Sequence, residues 1–115
     1  MNSLPRYSDD EPARTEVDAL PGHTVLEFGA NWCGVCQYAQ PVIADALASY
    51  RAGAPLRHLR IEDGRGRPLG RSFGIKLWPT LLMLQDGREV ARVVRPVSAG
   101  EIADALARLG AAPTE

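Results

Sequence analysis

The chain is poor in cysteine, lysine, aromatics and long apolar runs, and each shortage removes a class of protein. Among 115 residues there are two cysteines, Cys33 and Cys36, and two histidines, His23 and His58. Structural zinc asks for four ligands in close pairs. Beyond the two cysteines only the distant, unpaired histidines remain, so the sequence predicts no metal. Lys76 is the one lysine among 13 basic residues, and the formal net charge is −1. A strongly basic nucleic-acid footprint is therefore missing. No apolar run approaches the roughly 20 residues that span a bilayer, so no membrane partner is expected. The first sixteen residues have no apolar core and carry Asp9-Asp10-Glu11, unlike a signal or transit peptide. A chain beginning at Met1 is thus expected to stay in the cytoplasm, where two thiols serve chemistry more often than stapling.

What is present reads as one domain by length. Residues 1–12 are polar with little to bury and read as a mobile leader; 13–110 form the domain and 111–115 a tail. Pro12 to Leu20 suits a short helix with Ala13, Val17 and Leu20 on one side, stopped by Pro21-Gly22. Thr24 to Phe28 reads as a buried strand. Val35 to Tyr50 has helical spacing, with Pro41 expected to kink it and Gly53 and Pro55 to close it. Leu56 to Ile61 is a second strand, and Leu69 to Phe73 a short helix within a Gly- and Arg-rich loop. Thr80 to Leu84 is apolar throughout, as a strand covered on both faces is. Asp86-Gly87 before Glu89 to Val94 signals a hairpin. Ser98 and Glu101 form a capping box ahead of an amphipathic helix carrying Ile102, Ala105, Leu106 and Leu109. The order α-β-α-β-α-β-β-α predicts an α/β fold: a mixed central sheet, one parallel βαβ unit plus an antiparallel hairpin, flanked by helices.

Trp32-Cys33-Gly34-Val35-Cys36 follows a strand and opens a helix. Unpaired N–H groups and the positive dipole end at a helix start stabilise a thiolate, which makes Cys33 the attacking thiol. Cys36, one turn on, can attack the resulting mixed disulfide. A zinc site and a purely structural disulfide are the weaker readings, the latter because so small a loop removes little unfolded-state entropy.

Val25 to Cys36 resembles the active-site strand and loop of the thioredoxin family. Phe73 to Leu81 is similar to that family's proline loop, Gln85 to Arg88 to its hairpin turn, and Pro41 to its helix-kinking proline. The resemblance runs from about Thr24 to Leu109. It implies the thioredoxin fold and a protein-disulfide reductase without cofactor. It further implies a disulfide-containing protein as substrate, a thioredoxin reductase as electron donor, and a monomer. It assigns a cis bond to Trp78–Pro79 facing the cysteine pair, with the loop backbone pairing an extended substrate. Substrate-contacting positions are then Trp32, Gly34, Val35, Trp78, Pro79 and Arg95.

Pattern alone reads Glu27 as an exposed strand-face carboxylate. By resemblance it is the family's buried acid beneath the second cysteine. Burial is then expected to raise its pKa toward neutrality so that it takes the Cys36 proton, and a glutamine there to stabilise the fold. His23 and His58 read as ordinary surface or satisfied histidines. The chain departs from the family at Val35, where a proline is usual, and at Gly29, the position of a second tryptophan. It departs again at Leu77-Trp78, in place of Gly-Ile, and at Arg95, in place of a groove glycine. These departures keep open an oxidase or isomerase on the same fold, and a non-catalytic module that binds one dedicated partner.

Overall fold

A computed structural model describes residues 6–50 and 55–110. Its elements follow the expected order: α1 (Arg14–Asp18), β1 (His23–Gly29), α2 (Gly34–Ala48), β2 (Leu56–Glu62), α3 (Pro68–Ser72), β3 (Thr80–Gln85), β4 (Arg88–Val94) and α4 (Ala99–Leu106). The strands form one mixed sheet in the order β2-β1-β3-β4. β1 runs parallel to β2 and antiparallel to β3, and β3 pairs antiparallel with β4.

Alternation along a strand sends successive side chains to opposite faces, and the central strands fill both. Val25, Leu81 and Met83 pack with Ile43 of α2 and Ile102, Ala105 and Leu106 of α4. Leu26, Phe28, Leu82 and Leu84 pack with Val17 of α1 and with Leu69 and Phe73 at α3. Glu27 shares the parity of Val25, so its carboxylate lies under α2, the helix that carries Cys36. This parity places the site.

The turn and cap chemistry acts as the sequence predicts. Asp86 and Gly87 take φ of 51° and 80°, the primed-turn values a two-residue hairpin needs. The Ser98 side chain accepts from the Glu101 amide, and the Glu101 carboxylate accepts from the Ser98 amide. α2 runs through Pro41 and ends with Ser49 as its C-cap. The expected closure at Gly53, the start of the leader and the 111–115 tail lie outside the described residues.

The leader expectation is corrected for residues 6–12. The Ser8 amide donates to the Arg60 carbonyl and the Ser8 carbonyl accepts from the Glu62 amide, both at 2.9 Å, so Ser8 bridges parallel to Ile61 beyond β2. The backbone amide of Tyr7 donates to Asn31 Oδ1 at 2.7 Å, and Asn31 Nδ2 donates back to the Tyr7 carbonyl at 3.2 Å. The segment thereby pairs an otherwise open sheet edge and buries the Tyr7 ring. Composition suggested a segment with little to bury, and one aromatic ring outweighed its polar neighbours.

Candidate functional site

β1 ends at Gly29, and a short turn through Ala30, Asn31 and Trp32 delivers the chain to the start of α2. Cys33 is the N-cap of that helix, with extended φ and ψ of −83° and 115°. Its sulfur accepts the Cys36 amide at 3.2 Å, one of the donors a helix start leaves unpaired. Cys33 keeps 8% of its surface exposed and Cys36 none. Both thiols are free. Burial, followed by the neighbouring Cys33 sulfur, pushes the Cys36 thiol well above its ordinary value, while the nearby Ala30 backbone and Tyr7 hydroxyl pull it partly back. The pair is therefore asymmetric: Cys33 keeps a little exposed surface and its sulfur accepts an amide, whereas Cys36 is fully buried and resists ionisation.

Beside Cys33 stands the loop before β3, where the Trp78–Pro79 bond is cis. Trp78 packs against the cluster of Tyr7, Ala30, Cys33 and Cys36. Its ring meets Trp32 edge-on, centroids 5.6 Å apart, and its Nε1 donates to Asp63 at 2.8 Å. Trp32 is 75% exposed, and Val35 and Leu77 are also exposed apolar side chains. Gly34 is exposed and Pro79 buried. Arg95, exposed and held at φ 49°, donates from Nε to the Trp78 carbonyl at 2.8 Å. Its backbone amide donates to the Pro79 carbonyl at 2.9 Å. The seven sequence-predicted positions other than the two cysteines thus lie around or beneath the pair.

Beneath the pair, Glu27 is fully buried and its carboxylate gathers donors. Tyr7 Oη donates to Oε2, as does Gln40 Nε2 at 3.0 Å. His58 Nε2 lies 2.8 Å from Oε1. Arg60 Nε stands 3.6 Å from Oε1, beyond hydrogen-bond reach. The expectation of a near-neutral Glu27 is corrected. Desolvation is the largest single influence and pushes its pKa up, but hydrogen bonds from His58, Gln40 and Tyr7 together hold it below the ordinary carboxylate value. The exposed-face reading is corrected with it, and His58 is a satisfied histidine whose partner is this carboxylate.

Sequence reasoning missed Tyr7, Gln40 and His58. Gln40 stands one helical turn beyond Cys36, and its Nε2 donates to the Cys36 carbonyl at 2.9 Å. His58 and Arg60 are two residues apart and share a strand face, a signal available once β2 is set beside β1. Among the described residues, no group of histidine, cysteine or acidic side chains could hold a metal, and no helix is long and apolar enough to cross a membrane.

The family model for thioredoxin matches residues 8–108. The thioredoxin of Chlamydia muridarum is 38% identical over 73 residues, covering 64% of this chain and 69% of that protein. A thioredoxin of Pseudomonas aeruginosa is 28% identical over 93 residues, covering 79% and 84%. The solved structure of reduced thioredoxin 2 from Pseudomonas aeruginosa is 54% identical, covers 90% of this chain and 93% of that one, and superposes with a TM-score of 0.77.

Proposed function

The chain belongs to the thioredoxin family and is a thiol–disulfide oxidoreductase, and we propose that it works as a protein-disulfide reductase cycling between the Cys33–Cys36 dithiol and disulfide. One observation carries the assignment: of the two cysteines only Cys33 keeps any exposed surface, and its sulfur accepts an amide at the start of α2. The Cys33 thiolate attacks one sulfur of a substrate disulfide. A Cys33–substrate bond forms, and the other substrate sulfur leaves as a thiolate that takes up a proton. Cys36, deprotonated with Glu27 as base, then attacks the Cys33 sulfur. The Cys33–Cys36 bond forms, the second substrate thiol leaves, and the substrate has gained two electrons. A dithiol donor such as a thioredoxin reductase returns those electrons.

Trp32, Gly34, Val35, Trp78 and Pro79 form the rim on which an extended substrate segment lies, and Arg95 borders it with a fixed charge. The protein serves the cytoplasm as a monomer in this reading. Insulin reduction followed by turbidity, with dithiothreitol and then with a thioredoxin reductase and NADPH, tests it. Wild type should accelerate precipitation and Cys33→Ser should not. Cys36→Ser should accumulate a mixed disulfide with substrate. A wild-type protein that leaves insulin reduction at the uncatalysed rate overturns the reading.

A further inference from the structure

The buried side of the dithiol holds a side chain that the two-cysteine cycle does not use. The point where a Cβ on Gly29 would stand lies 2.7 Å from Tyr7 Oη and 2.8 Å from Cys36 Sγ. Only a residue without a side chain lets the phenol and the thiol share that space. The Tyr7 hydroxyl donates to Glu27 Oε2, and its ring packs with Cys36 in one buried cluster. Gln40 Nε2 braces both oxygens, reaching Tyr7 Oη at 3.2 Å and Glu27 Oε2 at 3.0 Å. Thiol and phenol thus meet over Gly29, and the phenol leads on to the carboxylate.

We propose that Tyr7 is a catalytic residue, its hydroxyl relaying the Cys36 proton to Glu27 as the mixed disulfide resolves. This rests on the dithiol reading above. The Cys36 S–H proton moves to Tyr7 Oη while the Tyr7 O–H proton moves to Glu27 Oε2. The products are a Cys36 thiolate, a neutral phenol that now donates to it, and a neutral carboxyl. The thiolate electron pair forms the Cys33–Cys36 bond, the Cys33–substrate bond breaks, and the departing thiolate takes up one proton. No oxidant beyond the mixed disulfide is needed. The phenol stays protonated throughout, since burial and the Glu27 charge push its pKa far up. Glu27 stays ionised between turnovers and is always open to receive. Charged and titratable groups facing the relay are Arg60 and His58 from β2 and Cys33 from the start of α2. Arg6 joins Tyr7, Cys36 and Gln40 around a small cavity beside it.

Ellman's reagent separates the two chemical steps in one stopped-flow trace. A concentration-dependent phase reports Cys33 attack, and a concentration-independent phase reports release of the second chromophore by Cys36. Tyr7→Phe keeps the ring and removes the relay. Its second phase should slow at least tenfold, with the first phase within twofold of wild type, which also certifies the fold. Across neutral pH the wild-type second phase should stay flat, while that of Tyr7→Phe should rise in proportion to hydroxide. Glu27→Gln should slow the same phase, and the double variant should slow it no further than the slower single one, because both changes cut one path. An unchanged second phase in Tyr7→Phe, equal slowing of both phases, or additive effects in the double variant overturns the relay. Absence of both phases in wild type overturns the dithiol reading instead.

Discussion

Glu27 combines complete burial with a charge, and its neighbours decide which of the two dominates. Desolvation alone would neutralise it, yet Tyr7, Gln40 and His58 hold the ionised form. A glutamine presents an N–H₂ where the carboxylate accepted, so one of these donors loses its partner. Contrary to the expectation from burial alone, Glu27→Gln should therefore lower stability at neutral pH by about 1–3 kcal/mol, the cost of an unsatisfied buried polar group. Urea denaturation measures it. The folded pKa lies below the ordinary 4.5, so the stability from ionisation is present above that pH and is lost as pH falls through the folded value. The difference between wild type and Glu27→Gln should shrink on acidification through that window. A gap that widens toward low pH would contradict the assignment. At this scale Cys33 and Cys36 were legible because strand, C-x-x-C and helix are contiguous. Tyr7 was not, because a single aromatic in a polar stretch has no periodicity, and its partner Glu27 lies twenty residues away.

The elements that deliver these residues were mostly written locally. Asp86-Gly87 set the hairpin and Ser98 with Glu101 set α4, since turn and cap chemistry depends on neighbours a few positions apart. The edge pairing of residues 6–8 depends instead on β2 and on Asn31, which no local pattern announces. Asn31 fixes the Tyr7 backbone through two hydrogen bonds. Asn31→Ala should cost about 1–2 kcal/mol, two ordinary hydrogen bonds. Hydrogen exchange should then accelerate at the Tyr7 and Ser8 amides before the β1 and β3 amides change. Uniform acceleration across the sheet would show that the segment is not a separable unit. Across the site, Arg95 follows β4 in a left-handed conformation and donates to the Trp78 carbonyl. Arg95→Gly relieves backbone strain but adds unfolded-state entropy, so stability should move by less than about 1 kcal/mol. Insulin reduction should become less salt-dependent as a fixed charge leaves the rim, and activity toward small disulfides should rise. Identical rates for both proteins across salt would place Arg95 outside substrate recognition.

At the scale of the whole molecule, the mixed four-stranded sheet faces α2 and α4 on one side and α1 and α3 on the other. That arrangement sets the start of α2 beside the Trp78–Pro79 loop while Cys36 and Glu27 stay beneath. Element order and the cysteine pair were readable from pattern. The proton environment was not, because Tyr7, Gln40 and His58 converge from three distant segments only after the sheet closes. The chemistry turns on a division of labour between Cys33, slightly exposed at the helix start, and the fully buried Cys36. Limited alkylation measures it most directly: the reduced protein is treated with sub-stoichiometric iodoacetamide at neutral pH and the label is mapped by peptide mass spectrometry. Predominant modification of Cys33, with Cys36 protected until the protein is unfolded, is the predicted result. Predominant labelling of Cys36 in the folded protein would contradict the assignment of attacking and resolving thiols.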